Sequence, residues 1–248
     1  GFLVYFNGLF GSFIWDDITQ IQNNALIHSF INFLIFFTGS TNAALTNGNF
    51  SGLYYRPLMI GTFSMLYSLF GTQTFFFHLF QLILHISNTC LVFIVLKKFI
   101  GEKLAFYISL LFLVHPMNVE SVVYISALGE PLFFFFGMSA FILYLKDKVT
   151  LKRYITISFL LLCSLLSKET GILFCLLLLL YYFLFKKKSY SETTKTVSSV
   201  VMPIVVYLFL RFSVAKVYME RVPDIPMMTA SLVERILTMP AIFLFYIK

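Results

Sequence analysis

The chain has 248 residues, of which 59% are hydrophobic, 19% are aromatic and only 12% are charged, and its formal net charge is +7. A soluble domain carries roughly 25% charged residues and could not bury this much apolar surface, so the composition excludes an ordinary soluble protein. The basic residues occur in short groups between apolar blocks and form no continuous face, so no nucleic-acid partner is indicated.

The apolar residues form blocks close to the roughly 20 residues that cross a bilayer as a helix. We therefore predict an all-α, polytopic transmembrane helical bundle over residues 1–248, with both ends cut from a longer chain. About eight spans are predicted, at residues 1–14, 75–96, 104–117, 131–145, 154–167, 171–185, 197–213 and 233–248. Several blocks are short, so some could continue into the flanking segments or re-enter the membrane.

The distribution of charge predicts which loops are cytoplasmic, because Lys and Arg in short loops concentrate on that side. Three alternate loops contain eleven of the 18 basic residues, namely Lys97, Lys98, Lys103, Lys146, Lys148, Lys152, Arg153, Lys186, Lys187, Lys188 and Lys195. If these loops are cytoplasmic, eight of the 11 carboxylates lie at or near the opposite side. That excess indicates a polar site at the extracytoplasmic surface.

Residues 15–74 form the longest predicted external segment, which we take as the first external loop. It contains two apolar pieces, residues 26–37 and 58–70, that are too short to span comfortably. We predict that both lie in the interface as amphipathic helices, joined by a polar loop at residues 38–52.

Two adjacent carboxylates, Asp16 and Asp17, follow Trp15 where the first predicted span leaves the membrane. Neighbouring carboxylates repel each other, so one could serve as a general base and the other as an electrostatic or metal partner. The alternative is an interfacial Trp followed by an Asp that caps a helix. Spacing alone favours the capping alternative.

In the predicted span at 75–96, His78, Gln81, His85 and Asn88 follow one another at intervals that place them on one helix face. Polar groups are costly in lipid, so we predict that all four face protein. Gln81, His85 and Asn88 are best explained by hydrogen bonds between helices. His78, nearest the outer end, is the candidate site residue.

Further polar residues lie at the outer ends of later spans. His115 comes directly before Pro116, with Glu120 close behind, and Glu130 precedes Pro131 at the start of the next span. These side chains could line a polar pocket. Glu130 also suits a helix N-terminus, and both interpretations stay open for Glu120.

Three cations and one carboxylate complete the candidates. Lys168 and Glu169 interrupt two apolar blocks on the outer side, where they could bind a substrate or simply neutralise each other in a tight hairpin. Arg56 in the external loop and Arg211 near the end of a span could each hold a phosphate through two parallel hydrogen bonds. Snorkelling to lipid headgroups is the alternative for both arginines.

Five short motifs occur in order on the predicted outer face: Trp15-Asp16-Asp17, Tyr55-Arg56-Pro57-Leu58, Phe77-His78-Leu79 with His85, His115-Pro116 with Glu120, and Ser167-Lys168-Glu169 with Gly171. In this order the chain resembles the GT-C glycosyltransferases. It is most similar to the branch with the protein O-mannosyltransferases, the transmembrane, tetratricopeptide-repeat O-mannosyltransferases and their bacterial relatives. The resemblance covers nearly the whole chain, but Glu130 stands where many relatives have Asp.

The resemblance implies an enzyme that moves a sugar, which could be a mannose-like hexose, from a polyprenyl-phosphate donor to an acceptor hydroxyl outside the cytoplasm. It assigns the catalytic base to the pair Asp16 and Asp17, and contact with the lipid phosphate to the outer-face basic residues. The implied partners are the lipid-linked donor, a protein or glycan acceptor and membrane lipids. We expect a bacterial inner or plasma membrane in preference to the endoplasmic reticulum.

The residues fit one-step displacement, in which a carboxylate deprotonates the acceptor hydroxyl and the anomeric centre is inverted. A basic side chain could stabilise the departing phosphate. The carboxylates could hold a divalent metal, although no His/Asp/Glu spacing demands one. The competing classes are a transporter or lipid flippase and a non-catalytic scaffold; the long external loop and the one-sided polar groups favour the enzyme.

Overall fold

The structure is a computed structural model that describes residues 1–41, 54–146, 150–186, 189–218 and 230–247. Over these residues the chain forms helices and no strand, which confirms the predicted helical class for this part of the chain. The chain divides into two compact units, Gly1–Val217 and Tyr218–Lys248. The candidate site is built within the first unit.

Short helical segments make up the N-terminal part of the first unit. A four-residue helix α1 (Phe2–Tyr5) is followed by a 3-10 helix at Phe6–Phe10, a π-helical turn at Ile18–Gln22, and 3-10 helices at Ala25–His28 and Phe30–Phe37. The turn before Ile18 is tight, because Trp15 adopts a positive φ of 46°, which is uncommon for a bulky residue.

Longer helices follow, beginning with α2 at Pro57–Phe70, whose proline occupies the first turn, where a missing N–H is tolerated. The others are α3 (Thr74–Ile100), α4 (Glu102–Val114), α5 (Val119–Val123), α6 (Gly129–Tyr144), α7 (Leu151–Ser167), α8 (Ile172–Phe185), α9 (Tyr190–Phe209) and, in the second unit, α10 (Leu232–Ile247). The connecting 3-10 turns are Pro116–Asn118, Ile125–Leu128 and Glu169–Gly171, and a π-helical turn, Leu210–Val214, extends α9.

Three helical stretches in the described part of the chain are long and apolar enough to cross a membrane: Thr74–Ile100, Ile125–Tyr144 and Tyr190–Val214. A fourth results if Glu102–Val114 and Pro116–Val123, which are bent by 51°, count as one span. The predicted total of about eight is therefore not confirmed. A 14-residue helix such as α8 is about 21 Å long, which is less than the roughly 30 Å hydrocarbon core.

The two short apolar pieces predicted in the external loop are helical, but their interfacial position is not confirmed. One face of α2 is buried in protein through Met59, Phe63 and Leu66, which pack with Ile27 and Phe36 of the preceding 3-10 helices. Of the predicted loop at residues 38–52, only the part up to residue 41 lies within the described residues.

The predicted basic loops lie at one end of the bundle. Lys98 at the end of α3 donates to the carbonyl of Leu145 after α6, and Lys186 after α8 donates to the carbonyl of Tyr144 at 3.3 Å. Helices α3, α6 and α8 therefore end together, while the membrane side of this end remains a prediction. Some charges used for that prediction lie outside the described residues, namely Asp147, Lys148, Lys187, Lys188, Glu220, Arg221, Asp224 and Lys248.

The polar face of α3 is buried as predicted. His78, Gln81, His85 and Asn88 are each at most 3% exposed. They bind backbone carbonyls at 2.8 to 3.3 Å, those of Gly11, Ser121, Tyr124, Leu113 and Pro131. These bonds tie α3 to the N-terminal segment and to the breaks between α4, α5 and α6, so α3 supports the region in which the candidate site lies.

Candidate functional site

Charged side chains meet at the end of the bundle away from the basic loops, in two groups. The first, which we name the Asp17 group, consists of Asp16, Asp17, His78, Tyr124 and Ser126. The second, which we name the Arg56 group, consists of Arg56, Glu169, Arg211, Tyr55 and Tyr207.

Asp17 is 1% exposed and both of its carboxylate oxygens accept hydrogen bonds. Oδ1 accepts from the backbone N–H of Ser126 at 2.8 Å and also from the Ser126 hydroxyl, and Oδ2 accepts from the N–H of Ile14 at 3.1 Å. Asp17 directly precedes the π-helical turn, but its side chain does not cap that turn. Through these hydrogen bonds Asp17 connects the N-terminal segment to the turn before α6.

Asp16 is exposed and lies beside Tyr124. Burial, and then the neighbouring charge of Asp16, raise the pKa of the Tyr124 hydroxyl. His78 is buried, its Nε2 lies 3.3 Å from the Gly11 carbonyl, and it is within range of the charge of Asp17. The structure thus places His78 near the buried carboxylate of Asp17, and Asp16 is exposed beside Tyr124.

The hydrogen bonds of Asp17 predict a loss of stability when it is changed. In Asp17→Asn one acceptor oxygen becomes an NH₂ group that faces another donor, which should destabilise the protein by about 1–3 kcal/mol. Thermal unfolding of the purified protein in detergent measures this as a lower Tm. The matched control is Asp16→Asn, which should keep the wild-type Tm because its side chain is exposed; equal melting of both variants and wild type would contradict the assignment.

Two arginines meet one carboxylate in the Arg56 group. Arg56 Nε donates to Glu169 Oε2 at 2.9 Å, and Arg211 Nη1 lies 3.7 Å from Glu169 Oε1. The side chains of Arg56, Glu169 and Arg211 are 18%, 28% and 12% exposed. Both arginines therefore contact protein, which does not support the snorkelling alternative.

Tyrosines fix the two guanidinium groups. The ring of Tyr54 lies 4.3 Å from Arg56 Cζ, and the hydroxyl of Tyr207 accepts from Arg211 Nη1 at 3.0 Å. The N–H of Tyr55 donates to Glu169 Oε1 at 3.1 Å. Burial, and then the nearby Tyr207, raise the pKa of Tyr55 to about 12, so its hydroxyl stays protonated and donates to the Phe37 carbonyl at 3.1 Å.

A cavity of about 220 Å³ lies beside Arg56, between the N-terminal 3-10 helices and the start of α2. Its wall is mainly apolar, with Leu26, Phe36 and Ile60 among the lining residues, and Arg56 contributes the charge. An apolar wall with one guanidinium group suits a ligand that has a hydrophobic chain and an anionic head.

Lys168 and Glu169 do not neutralise each other, so that alternative is wrong. Lys168 forms an ion pair with Glu130, while Glu169 binds Arg56. Glu130 also lies in the first turn of α6, as its position before Pro131 indicated. The sequence placed all these charges on one side, but it could not show which of them pair.

His115 and Glu120 are both exposed. His115 Nδ1 accepts from the N–H of Met117 at 3.2 Å and caps the 3-10 turn Pro116–Asn118. Among the contacts of the described residues, neither side chain joins the Asp17 group or the Arg56 group, so the pocket expected around Glu120 is not found there. No group of three His, Cys, Asp or Glu side chains in the described ranges is placed to hold a metal ion.

Sequence reasoning missed Ser126, Tyr124 and Tyr207. Tyr124 and Ser126 are single polar residues at a turn, with no spacing that sets them apart. Tyr207 of α9 lies one turn before Arg211 of the π-helical turn that follows, and this interval is the one local signal that could have connected the two.

Comparison with known proteins finds relatives that are all described as protein O-mannosyl-transferases. The chain is 32% identical over 174 residues to Protein O-mannosyl-transferase F38B6.6 of Caenorhabditis elegans, covering 68% of this chain and 25% of that protein. It is 31% identical over 144 residues to Protein O-mannosyl-transferase TMTC3 of Homo sapiens, covering 58% of this chain and 16% of that protein. For human Protein O-mannosyl-transferase TMTC1 the identity is 31% over 186 residues, with coverages of 68% and 21%.

The chain thus spans a quarter or less of the length of these relatives. They come from animals, which does not favour the bacterial membrane expected from the sequence. No protein-family model and no solved structure matches the chain.

Proposed function

The chain is a homologue of the protein O-mannosyl-transferases, and from this premise we propose that it carries the donor-binding and catalytic end of a membrane glycosyltransferase. The donor is a hexose linked to a polyprenyl phosphate. The acceptor is a hydroxyl group of a protein or glycan on the extracytoplasmic side, and the reaction inverts the anomeric centre.

The observation that carries this proposal is the Arg56 group beside its apolar cavity. Two guanidinium groups and one carboxylate give these three side chains a net positive charge of one. A phosphodiester in a polyprenyl-phosphate sugar carries one negative charge, so the two match. The cavity wall of Leu26, Phe36 and Ile60 can take the first part of the prenyl chain.

The structure supports different roles for the two adjacent aspartates. Asp17 has its oxygens occupied by three donors, so it positions the N-terminal segment. Asp16 is exposed beside Tyr124, so it can reach the hydroxyl of an incoming acceptor and act as the general base.

In the reaction, Asp16 accepts the proton of the acceptor hydroxyl while that oxygen attacks the anomeric carbon. The bond between this carbon and the phosphate oxygen breaks, and its electron pair leaves with polyprenyl phosphate. The phosphate gains negative charge as it departs, so Arg56 and Arg211 stabilise the transition state more than the bound donor.

The test uses the full-length protein in proteoliposomes with labelled polyprenyl-phosphate hexoses and an acceptor protein. We expect label to appear covalently on the acceptor. Label that moves to the other leaflet without reaching an acceptor would identify a lipid flippase and overturn the proposal, as would transfer from a nucleotide sugar in the absence of lipid-linked donor.

A further inference from the structure

A second cavity, of about 150 Å³, lies between α3, the turns around α5 and the start of α6, and none of the roles described so far uses it. Polar side chains from four elements line it, namely His85, Asn88, Asn118, Ser121 and Glu130. Several polar groups that converge on one cavity are typical of a small-molecule site.

The amide of Asn88 indicates a ligand in this cavity. Asn88 is 2% exposed, and its Nδ2 donates to the carbonyl of Pro131 at 2.9 Å. Its Oδ1 is buried, and among the described residues it accepts no hydrogen bond. A buried acceptor without a hydrogen-bond donor lowers the stability of a protein. A ligand that donates a hydrogen bond to Asn88 Oδ1 would remove this loss of stability.

The chemistry of the wall selects a neutral ligand with several hydroxyl groups. Asn88 Oδ1 and the Glu130 carboxylate can accept hydrogen bonds from a ligand, and the hydroxyl of Ser121 can accept or donate. Glu130 is already paired with Lys168, so the cavity does not need a cation. The remaining wall is aromatic, from Phe112, Phe133 and Phe134, and can cover the apolar C–H face of a pyranose ring.

The cavity and the Arg56 group are connected through two ion pairs that involve the neighbouring residues Lys168 and Glu169. Glu130 lines the cavity and forms an ion pair with Lys168. Glu169, which follows Lys168 in the sequence, forms an ion pair with Arg56. A ligand with a sugar in the cavity and a phosphate at Arg56 therefore contacts two ion pairs that are one peptide bond apart.

We infer that this cavity holds the hexosyl group of the lipid-linked donor, with Asn88 and Ser121 as residues that select the sugar. The inference rests on the proposed function. It adds a sugar-selective role for Asn88, whose burial would otherwise be explained by its bond to Pro131 alone.

The experiment compares the Kd of two lipids for the full-length protein in nanodiscs: polyprenyl-phosphate hexose and polyprenyl phosphate without sugar. Asn88→Leu removes the acceptor at similar volume and should raise the Kd of the sugar-bearing lipid by about tenfold or more, because a sugar hydroxyl loses its partner. The Kd of polyprenyl phosphate should stay within about twofold, since that lipid has no group in the cavity.

The matched control is Thr89→Val, at the same depth on α3, whose hydroxyl donates only to the His85 carbonyl within the helix. It should change neither Kd. If Asn88→Leu fails to fold, the same comparison is made with Ser121→Ala. A higher Kd for the sugar-bearing lipid, with an unchanged Kd for polyprenyl phosphate, supports the inference. Unchanged Kd values for both lipids overturn it.

Equal changes for both lipids, or no change for either, would also overturn the inference. These outcomes are separate from failure of the proposed function, which would show as absence of sugar transfer by the wild-type protein whatever its lipid affinities.

Discussion

Asp16→Asn should lower the turnover number of sugar transfer by roughly 10²- to 10⁴-fold, the usual contribution of a general base. The amide keeps the shape of the side chain but cannot accept the proton of the acceptor hydroxyl. Because Asp16 is exposed, folding and donor binding should be unaffected. Turnover is measured by steady-state kinetics with labelled donor, folding by the Tm and donor binding by the Kd, all on one preparation.

The Asp17→Asn variant should behave differently, because the side chain of Asp17 holds the fold together through its hydrogen bonds. It should lower the Tm, and its activity should fall only in proportion to the fraction of unfolded protein. If Asp16→Asn transfers sugar at the wild-type rate while folded Asp17→Asn is inactive, the two roles are reversed. If both variants are fully active, neither carboxylate is the base.

Arg56→Lys should weaken donor binding by about an order of magnitude or more. Arginine can give one hydrogen bond to Glu169 and present its remaining N–H groups to phosphate, whereas the single ammonium of Lys cannot reproduce this planar arrangement. Arg211→Lys should act in the same direction, because Arg211 shares the same carboxylate. The Kd of polyprenyl phosphate without sugar is the direct measurement, since it isolates the phosphate.

Arg153→Lys is the matched control, because Arg153 lies at the basic end of the bundle, in the first turn of α7. It should leave donor affinity and turnover unchanged. Wild-type donor affinity in both Arg56→Lys and Arg211→Lys would show that these arginines do not bind the phosphate.

The features that could be predicted from sequence are those with a local period. The four polar residues of α3 recur at helical intervals, and lipid is so poor a solvent for them that burial of the whole face follows. All four side chains are at most 3% exposed. The grouping of the basic loops at one end likewise follows from the alternation of spans and loops.

The number of spans could not be predicted in the same way, because composition does not distinguish a membrane-crossing helix from a short apolar helix packed in protein. Helix α8 is as apolar as any span but has only 14 residues. One face of α8 packs in protein, where Phe174, Leu178 and Tyr182 join the main core cluster, and the opposite face, with Leu176, Leu180 and Leu184, is exposed.

The main contacts of the Asp17 group and the Arg56 group could not be predicted from the sequence either, since two of them join residues more than a hundred positions apart. Asp17 meets Ser126, and Arg56 meets Glu169. Adjacent aspartates have nearly the same sequence context, so only the tertiary structure separates the buried Asp17 from the exposed Asp16.

The central claim is that the donor phosphate lies at the Arg56 group, and photocrosslinking tests it most directly. A polyprenyl-phosphate hexose with a diazirine on the first isoprene unit is irradiated with the full-length protein, and the labelled peptides are mapped by mass spectrometry. We predict labels in residues 24–41 and 54–60, which line or flank the cavity beside Arg56, and their loss when excess unlabelled donor competes. Labels confined to the opposite end of the bundle, around Lys97, Lys152 and Lys195, would contradict the account.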